Sequence, residues 1–328
     1  MRKVQWGIIG TGAIANAFAK ALSTITDVQI AGVASRSLNK AEIFAKTYQI
    51  TRAYGNYEEL INDPNIDVIY IGTPHTEHFA HAKACIEGKK HVLCEKPMCM
   101  NSDEAKILDS LAKENNVFLM EAMWTKFLPT TACVKEWIDS ERIGSIQYMN
   151  INFGFVGERD YSGRLFNPDL GGGALLDVGI YPVLYATFLM NTVPDEIKSS
   201  MVFGISGVDE LDAVTFYYKE GTIASLQSSI STRLGNDAVI IGSKGKIVVE
   251  KFHMAQKAYI YDEEDTLLET FYEPFATNGY EYEAMEVNRC LMEGLTESPR
   301  NPLDKTIQIL ELLDTIRKQC DLKYPGGR

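Results

Sequence analysis

The chain has 328 residues, of which 45% are hydrophobic, 23% charged and 10% aromatic. That composition excludes a disordered, collagen-like or coiled-coil chain, and the length predicts two domains. The net charge of -12, from 44 acids against 32 bases, argues against a nucleic-acid partner, and the lack of a run of about 18 apolar residues argues against a membrane span.

The first ~120 residues alternate short apolar runs with helical patterns. Val4–Ile9 reads as a strand, Ala13–Leu22 as a helix, Val28–Ala34 as a strand and Leu38–Tyr48 as a helix. Asn56-Tyr57-Glu58-Glu59 resembles a capping box opening a short helix. Val68–Ile71 is a β-branched strand, His75–Glu87 a helix stopped by Gly88, and His91–Cys94 a strand. Ser102–Asn115 is a helix and Val117–Met120 a strand. This order predicts an N-terminal doubly wound parallel sheet covered on both faces, over residues 1–122.

Residues 123–328 change rhythm and predict an α+β domain. A helix near Thr131–Ser140 precedes an alternating strand, Ile146–Phe155. A Gly-rich loop and a long helix, Gly173–Met190, follow. From Glu196 to about Phe271, β-rich runs are split by turns at Gly221 and Ser243-Lys244-Gly245, the pattern of a mainly antiparallel sheet. Helices at Glu281–Glu293 and Leu303–Lys318 close the chain.

Met1-Arg2-Lys3 and the apolar stretch after it mimic a leader, but Gly7, Gly10, Gly12 and Asn16 break the stretch. The six cysteines form no Cys-x-x-Cys pair and predict reduced, buried thiols in a cytoplasmic protein.

Gly10-Thr11-Gly12-Ala13-Ile14-Ala15 is a G-x-G-x-x-A run lying between a strand and a helix. Gly10 permits the tight turn, Gly12 lets a pyrophosphate approach the backbone, and Ala15 lets helix and strand pack closely. The free N–H groups at the helix start then favour the phosphates. About 20 residues on, an acid would bind the ribose 2′-hydroxyl of NAD. Ser35-Arg36 stands there instead, with Lys40 in reach, and this predicts NADP in preference to NAD.

His91-Val92-Leu93-Cys94-Glu95-Lys96-Pro97 places Lys96 at a strand's carboxyl end, where ligands of parallel sheets bind. Together with Gly10-Thr11-Gly12 and Thr73-Pro74-His75, it resembles the glucose-fructose oxidoreductase/inositol dehydrogenase family over essentially the whole chain. Met120-Glu121-Ala122-Met123-Trp124 and the run from Gly171 to Pro182 are similar to the branch of dimeric dihydrodiol dehydrogenases and NADP-dependent xylose dehydrogenases.

The resemblance implies a Rossmann domain followed by a large open sheet, a cis Lys96–Pro97 peptide and a homodimer formed through that sheet. It implies that Lys96 is catalytic and that Thr73, Pro74, His75, His78 and Arg164 lie near the cofactor, while Glu95 is either structural or near the ribose. The family's Asp is matched by Asp177, whereas Tyr181 stands four residues on, where many members have His; the dihydrodiol branch uses Tyr.

Asp177 and Tyr181, at i and i+4, are expected on one helix face, and Pro182 is expected to distort the helix beside them. Two assignments stay open. Tyr181 exchanges the substrate proton, with the Lys96 cation favouring its phenolate, or Lys96 is the donor and Tyr181 orients the substrate. Asp177 would bind a neighbouring hydroxyl or hold Lys96. Trp124, Phe153 and Phe155 either line an apolar pocket or pack the core. His75, His78 and His81 are spaced three apart, which drifts around a helix, so no metal site is expected; His253 is given no role.

The expected partner is a small sugar, polyol or trans-dihydrodiol. The leading function is an NADP-dependent oxidoreductase. A non-catalytic NAD(P)-binding regulator and a lyase or glycosidase with a tightly held NAD are the alternatives.

Overall fold

A computed structural model describes residues 3–325. Met1 and Arg2, the start of the leader-like segment, lie outside the described residues. The chain forms two compact units. One takes the residues up to Trp124 together with Phe275–Ile307; the other takes Thr125–Pro274 and the residues from Gln308 on.

The first unit contains strands β1 (Val4–Ile9), β2 (Val28–Ala34), β3 (Arg52–Tyr54), β4 (Val68–Ile71), β5 (His91–Glu95) and β6 (Leu119–Ala122). All pair in parallel, in the order β3-β2-β1-β4-β5-β6. β4 and β6 are buried throughout, as a sheet covered on both faces requires. The helices are α1 (Ala13–Leu22), α2 (Leu38–Tyr48), α3 (Tyr57–Ile61), α4 (His78–Glu87) and α5 (Ser102–Asn115). Short β3 carries no alternation long enough to read in advance. His75–Glu77 is a separate 3-10 turn before α4, and the last strand lies two residues later than its apolar run suggests.

Phe275–Ile307 joins this unit through specific polar bonds. The Trp6 indole donates to Asn288 at 3.1 Å, the Leu119 amide to the Thr296 carbonyl at 3.1 Å, and the Asn301 amide to the Glu121 carbonyl at 3.0 Å.

In the second unit, α6 (Pro129–Asp139) leads to β7 (Ile146–Gly154). A π-helical turn, Leu175–Gly179, runs directly into α7 (Ile180–Met190). Strands β8 (Glu196–Phe203), β9 (Asp209–Tyr217), β10 (Ile223–Ser229), β11 (Ala238–Gly242), β12 (Gly245–Glu250), β13 (Lys257–Tyr261) and β14 (Leu267–Tyr272) complete an eight-stranded sheet, ordered β14-β13-β12-β11-β7-β10-β9-β8. Every pairing is antiparallel except β7 with β10.

Pro168–Met190 is long and apolar enough to cross a membrane by composition alone, with mean hydropathy 1.5, yet 89% of that window is buried inside the protein. It is a core segment; Val178 packs with Phe166 and Ile230. The last helices are α8 (Glu281–Met292) and α9 (Leu303–Gln319).

Candidate active site

The crossover order changes direction between β1 and β4, where parallel sheets open a crevice beyond their carboxyl ends. Gly10 sits there at φ +104°, and a Cβ on it would stand 2.6 Å from the Gly72 carbonyl oxygen. Only glycine fits such a turn without strain. Gly12 caps α1, and a Cβ there would meet nothing within 4 Å. No side chain caps α1, and its first turn carries no acid. The amides of Ala13 and Ile14 therefore face open space, as a phosphate cradle demands.

A groove of about 490 Å³ runs from this turn. It brings Gly10, Thr11, Gly12, Ser35, Arg36 and Lys40 together with Thr73 and Pro74, and none of its lining residues is acidic. Tyr57 and Asn16 also line it, which sequence reasoning missed. Tyr57 meets His81 edge-on at 4.7 Å, and His81 Nδ1 lies 3.1 Å from the Thr73 hydroxyl. Burial biases His81 toward its neutral form, and the Arg36 charge works in the same direction against Glu77.

The shape and chemistry of this groove fit a nicotinamide dinucleotide. Backbone amides are exposed at the glycine turn, and hydroxyl and cationic groups lie at the second strand's end.

Lys96 follows β5 and is half-buried, and its peptide bond to Pro97 is cis, as the resemblance implies. His78 is fully buried beneath it. Its Nδ1 lies 2.8 Å from the Pro97 carbonyl oxygen and its Nε2 2.8 Å from that of Thr73. Burial pushes its pKa down to about 4, against the pull of both carbonyls. His78 thus ties the Thr73 turn to the end of β5. His75, on the 3-10 turn, meets His78 edge-on at 5.8 Å. The three histidines have different surroundings, and among the described residues no three His, Cys, Asp or Glu side chains converge as metal ligands would.

Glu95 accepts from the Tyr70 hydroxyl at 2.6 Å. Glu121 accepts from the Met98 amide at 2.9 Å. Glu283 of α8 is fully buried, and neither of its oxygens has a hydrogen-bond partner among the described residues. Burial raises its pKa well above the ordinary value, and the Glu95 and Glu121 charges add to the rise. Both effects bias Glu283 toward its neutral form.

In the second unit, Asp177 lies within the π-helical turn and Tyr181 in the first turn of α7. The uniform helix expected over Gly173–Met190 is corrected by this wide turn. Pro182 has no N–H for the Val178 carbonyl and its ring crowds it, so the turn before it opens. Arg164 donates to Asp177 at 2.8 Å, with the Arg side chain 58% exposed and the carboxylate 8%. This ion pair has no signal in the spacing, since the two residues are 13 positions apart across a largely irregular segment.

Phe153 stacks on His253 at 3.8 Å and meets Tyr181 edge-on at 5.4 Å. The His253 ring also lies 6.0 Å from that of Tyr181. His253, given no role from the sequence, thus borders the candidate site. It comes from a 3-10 turn between β12 and β13, far away in the chain. Phe155 packs against the Phe166 core cluster. Trp124 belongs to the first unit, stacked on Tyr280 at 4.4 Å.

Residues 4–123 match a sequence profile described as an oxidoreductase family with an NAD-binding Rossmann fold, and residues 131–248 match the GFO/IDH/MocA C-terminal domain. The chain belongs to the GFO/IDH/MocA oxidoreductase family. Among its relatives in that family, the trans-1,2-dihydrobenzene-1,2-diol dehydrogenase of Xenopus laevis is 37% identical over 330 residues, covering 98% of this chain and 99% of its own. The mouse enzyme of the same name is 34% identical over 336 residues, covering 99% of each. A solved 3-ketoreductase from Actinomadura kijaniata, in complex with NADP and TDP-benzene, is 23% identical, covers 97% of this chain and 98% of its own, and has a TM-score of 0.88; this likeness bears on the fold. Like other GFO/IDH/MocA members, the chain is an NAD(P)-dependent oxidoreductase acting on CH–OH groups.

Proposed function

We propose that the protein is an NADP-dependent dehydrogenase that interconverts a secondary alcohol and its carbonyl in a sugar, polyol or trans-dihydrodiol. The observation that carries the cofactor choice is the groove's far end: Ser35, Arg36 and Lys40 line it, with no acid among the lining residues. A 2′-phosphate would find a hydroxyl donor and two cations there, and the carboxylate that would repel it is missing. The names of the full-length dihydrodiol dehydrogenase relatives support the substrate class.

When bound, the dinucleotide would take the hydride from the carbinol carbon. Tyr181 takes the hydroxyl proton, which leaves the carbonyl; the reverse reaction returns it. Asp177, steadied by Arg164, receives a neighbouring substrate hydroxyl. The Lys96 ammonium stabilises developing charge on the alkoxide oxygen. Phe153 supplies an apolar wall beside Tyr181. His78 holds the Thr73 turn and the Pro97 carbonyl in register without carrying charge at neutral pH.

Thermal unfolding with each dinucleotide tests the cofactor choice. At 100 times its dissociation constant a ligand adds about 2.7 kcal/mol, so NADP should raise Tm well beyond an equal concentration of NAD. Arg36→Ala should weaken NADP roughly 10- to 100-fold, as loss of a charged hydrogen bond does, and leave NAD nearly unchanged. Equal shifts for the two dinucleotides overturn the NADP reading. Binding without turnover across a panel of sugars, polyols and dihydrodiols would overturn the proposed substrate class.

A further inference from the structure

Asp209 and Asp212 are both fully buried beneath the turn that carries Asp177. Residues three apart on a regular strand point to opposite faces. Here the β8–β9 register slips: Val202 pairs with Leu211, but Phe203 pairs with Asp209, so Glu210 is an extra residue. That bulge brings both carboxyls to the same side.

The pair grips both ends of the π-helical turn. At its start, Asp209 accepts from the Leu175 amide at 2.5 Å. Gly173, at φ +120°, lies so close that a Cβ would stand 2.1 Å from Asp209 Oδ1. At its end, Ser228 donates to Asp212 at 2.8 Å and packs against Gly179, where a Cβ would stand 2.8 Å from the Ser228 hydroxyl oxygen.

Neither Asp209 Oδ1 nor Asp212 Oδ1 has a hydrogen-bond partner of its own among the described residues, although the Ala174 amide and the Asp209 amide join that of Leu175 in favouring the Asp209 charge. A hydrogen bond between the two side chains supplies one, and it needs a proton. Burial raises both carboxyls, and the Asp209 charge raises Asp212 further. Other ionisable groups facing this spot include Asp177, paired with Arg164, and the buried Tyr324 phenol, with Arg317 over its ring at 5.5 Å. Arg317 is itself paired with Asp314.

We infer that Asp209 and Asp212 hold one proton between them, and that this protonated pair is a clamp that positions Asp177 and Tyr181 through the π-helical turn. The positioning half of this inference rests on the proposed roles of those two residues. When the proton is lost at high pH, two buried negative charges face each other and the turn loses its anchor. The clamp thus adds an alkaline limit to activity that does not arise from the reacting groups.

Infrared difference spectroscopy of the full chain tests the proton. At neutral pH the wild type should show the carbonyl stretch of a buried protonated carboxyl, shifted in heavy water and diminished by Asp212→Asn. Any such band from the buried Glu283 is identified by its loss in Glu283→Gln. A spectrum that Asp212→Asn leaves unchanged overturns the shared proton.

Turnover with NADP and trans-1,2-dihydrobenzene-1,2-diol, or the best substrate of the panel, tests the positioning. Asp212→Leu should lower kcat roughly 10- to 100-fold, as misplacement of reacting groups does, with the dissociation constant for NADP unchanged. Asp212→Asn, whose amide still donates to Asp209 and still accepts from Ser228, should recover most of that loss and carry activity to higher pH. Wild-type kcat and pH profile in Asp212→Leu overturn the clamp; should that variant not fold, a wild-type alkaline limit that Asp212→Asn leaves in place overturns it equally. If Tyr181→Phe keeps full turnover while the infrared result holds, the assignment of Tyr181 has failed and the shared proton has not.

Discussion

Around Gly10 and Gly12 the first unit exposes backbone amides where the proposed cofactor would lie, whereas around Asp177 the second unit gathers side chains from far along the chain. The glycine turn depends on residues within one strand–turn–helix, and its exposed amides come free with the start of α1. The Asp177 region depends on a loop arginine, a bulged strand, a 3-10 turn and a π-helical turn. Backbone recognition suits a ligand that is the same for many enzymes. Side chains on irregular elements can be exchanged one at a time, which suits a substrate that differs between relatives.

Three sets of measurements sharpen that contrast. The largest effect is expected at the proposed reacting groups. Tyr181→Phe and Lys96→Ala should each lower kcat by about 10²- to 10⁴-fold, the usual contribution of a positioned acid or base, with Tm and NADP binding nearly unchanged. The double variant should lose less than the sum of the two if both act on one proton transfer. Steady-state rates with NADP decide this, and wild-type rates in both variants would remove the catalytic assignment.

Next comes a comparison of one substitution at two glycines. Gly10→Ala forces a Cβ against the Gly72 carbonyl at positive φ, so it should destabilise the fold by roughly 1–3 kcal/mol. Gly12→Ala meets no protein atom. It should keep the wild-type Tm within about 1 °C, less than the ~1.5 °C that a 1 kcal/mol change produces in a chain of this size, yet weaken dinucleotide binding. Thermal melts and fluorescence titration separate the two outcomes. Equal loss of stability at both positions would mean that Gly12 guards the turn and not the ligand's space.

The smallest effects lie in the pH dependence of stability. The folded His78 binds its proton more weakly than the free side chain, since burial takes its pKa to about 4. The unfolded chain therefore holds the extra proton between about pH 4 and 6.5, and His78's contribution is lost as pH falls through that window. Glu283 runs the other way. Its raised folded value means that the native state holds the extra proton above the ordinary glutamate range, so stability is lost as pH rises from about 4 toward the folded value. Glu283→Gln should leave stability at pH 5 nearly unchanged and flatten the decline above it. Each group alters the slope by at most about 1.4 kcal/mol per pH unit, so chemical denaturation at closely spaced pH values is the measurement.

The alternation of apolar runs and helices determined the parallel sheet, and Gly10-Thr11-Gly12 placed the groove. These are short-range features: a tight turn before a helix exposes its amides whatever the rest of the chain does. Ser35 and Arg36 were legible for the same reason, standing at the end of the strand beside that turn. The motif that resembles the family marked Lys96, Asp177 and Tyr181. Only the tertiary structure brought Arg164 to Asp177, His253 to Phe153 and Tyr181, and Phe275–Ile307 back to the first unit. It alone turned Asp209 and Asp212 to one side, because one extra residue in a strand reverses the face of everything beyond it. Whether a buried acid keeps its proton depends on neighbours that arrive from distant segments, and so it is decided by folding and not by the order of residues.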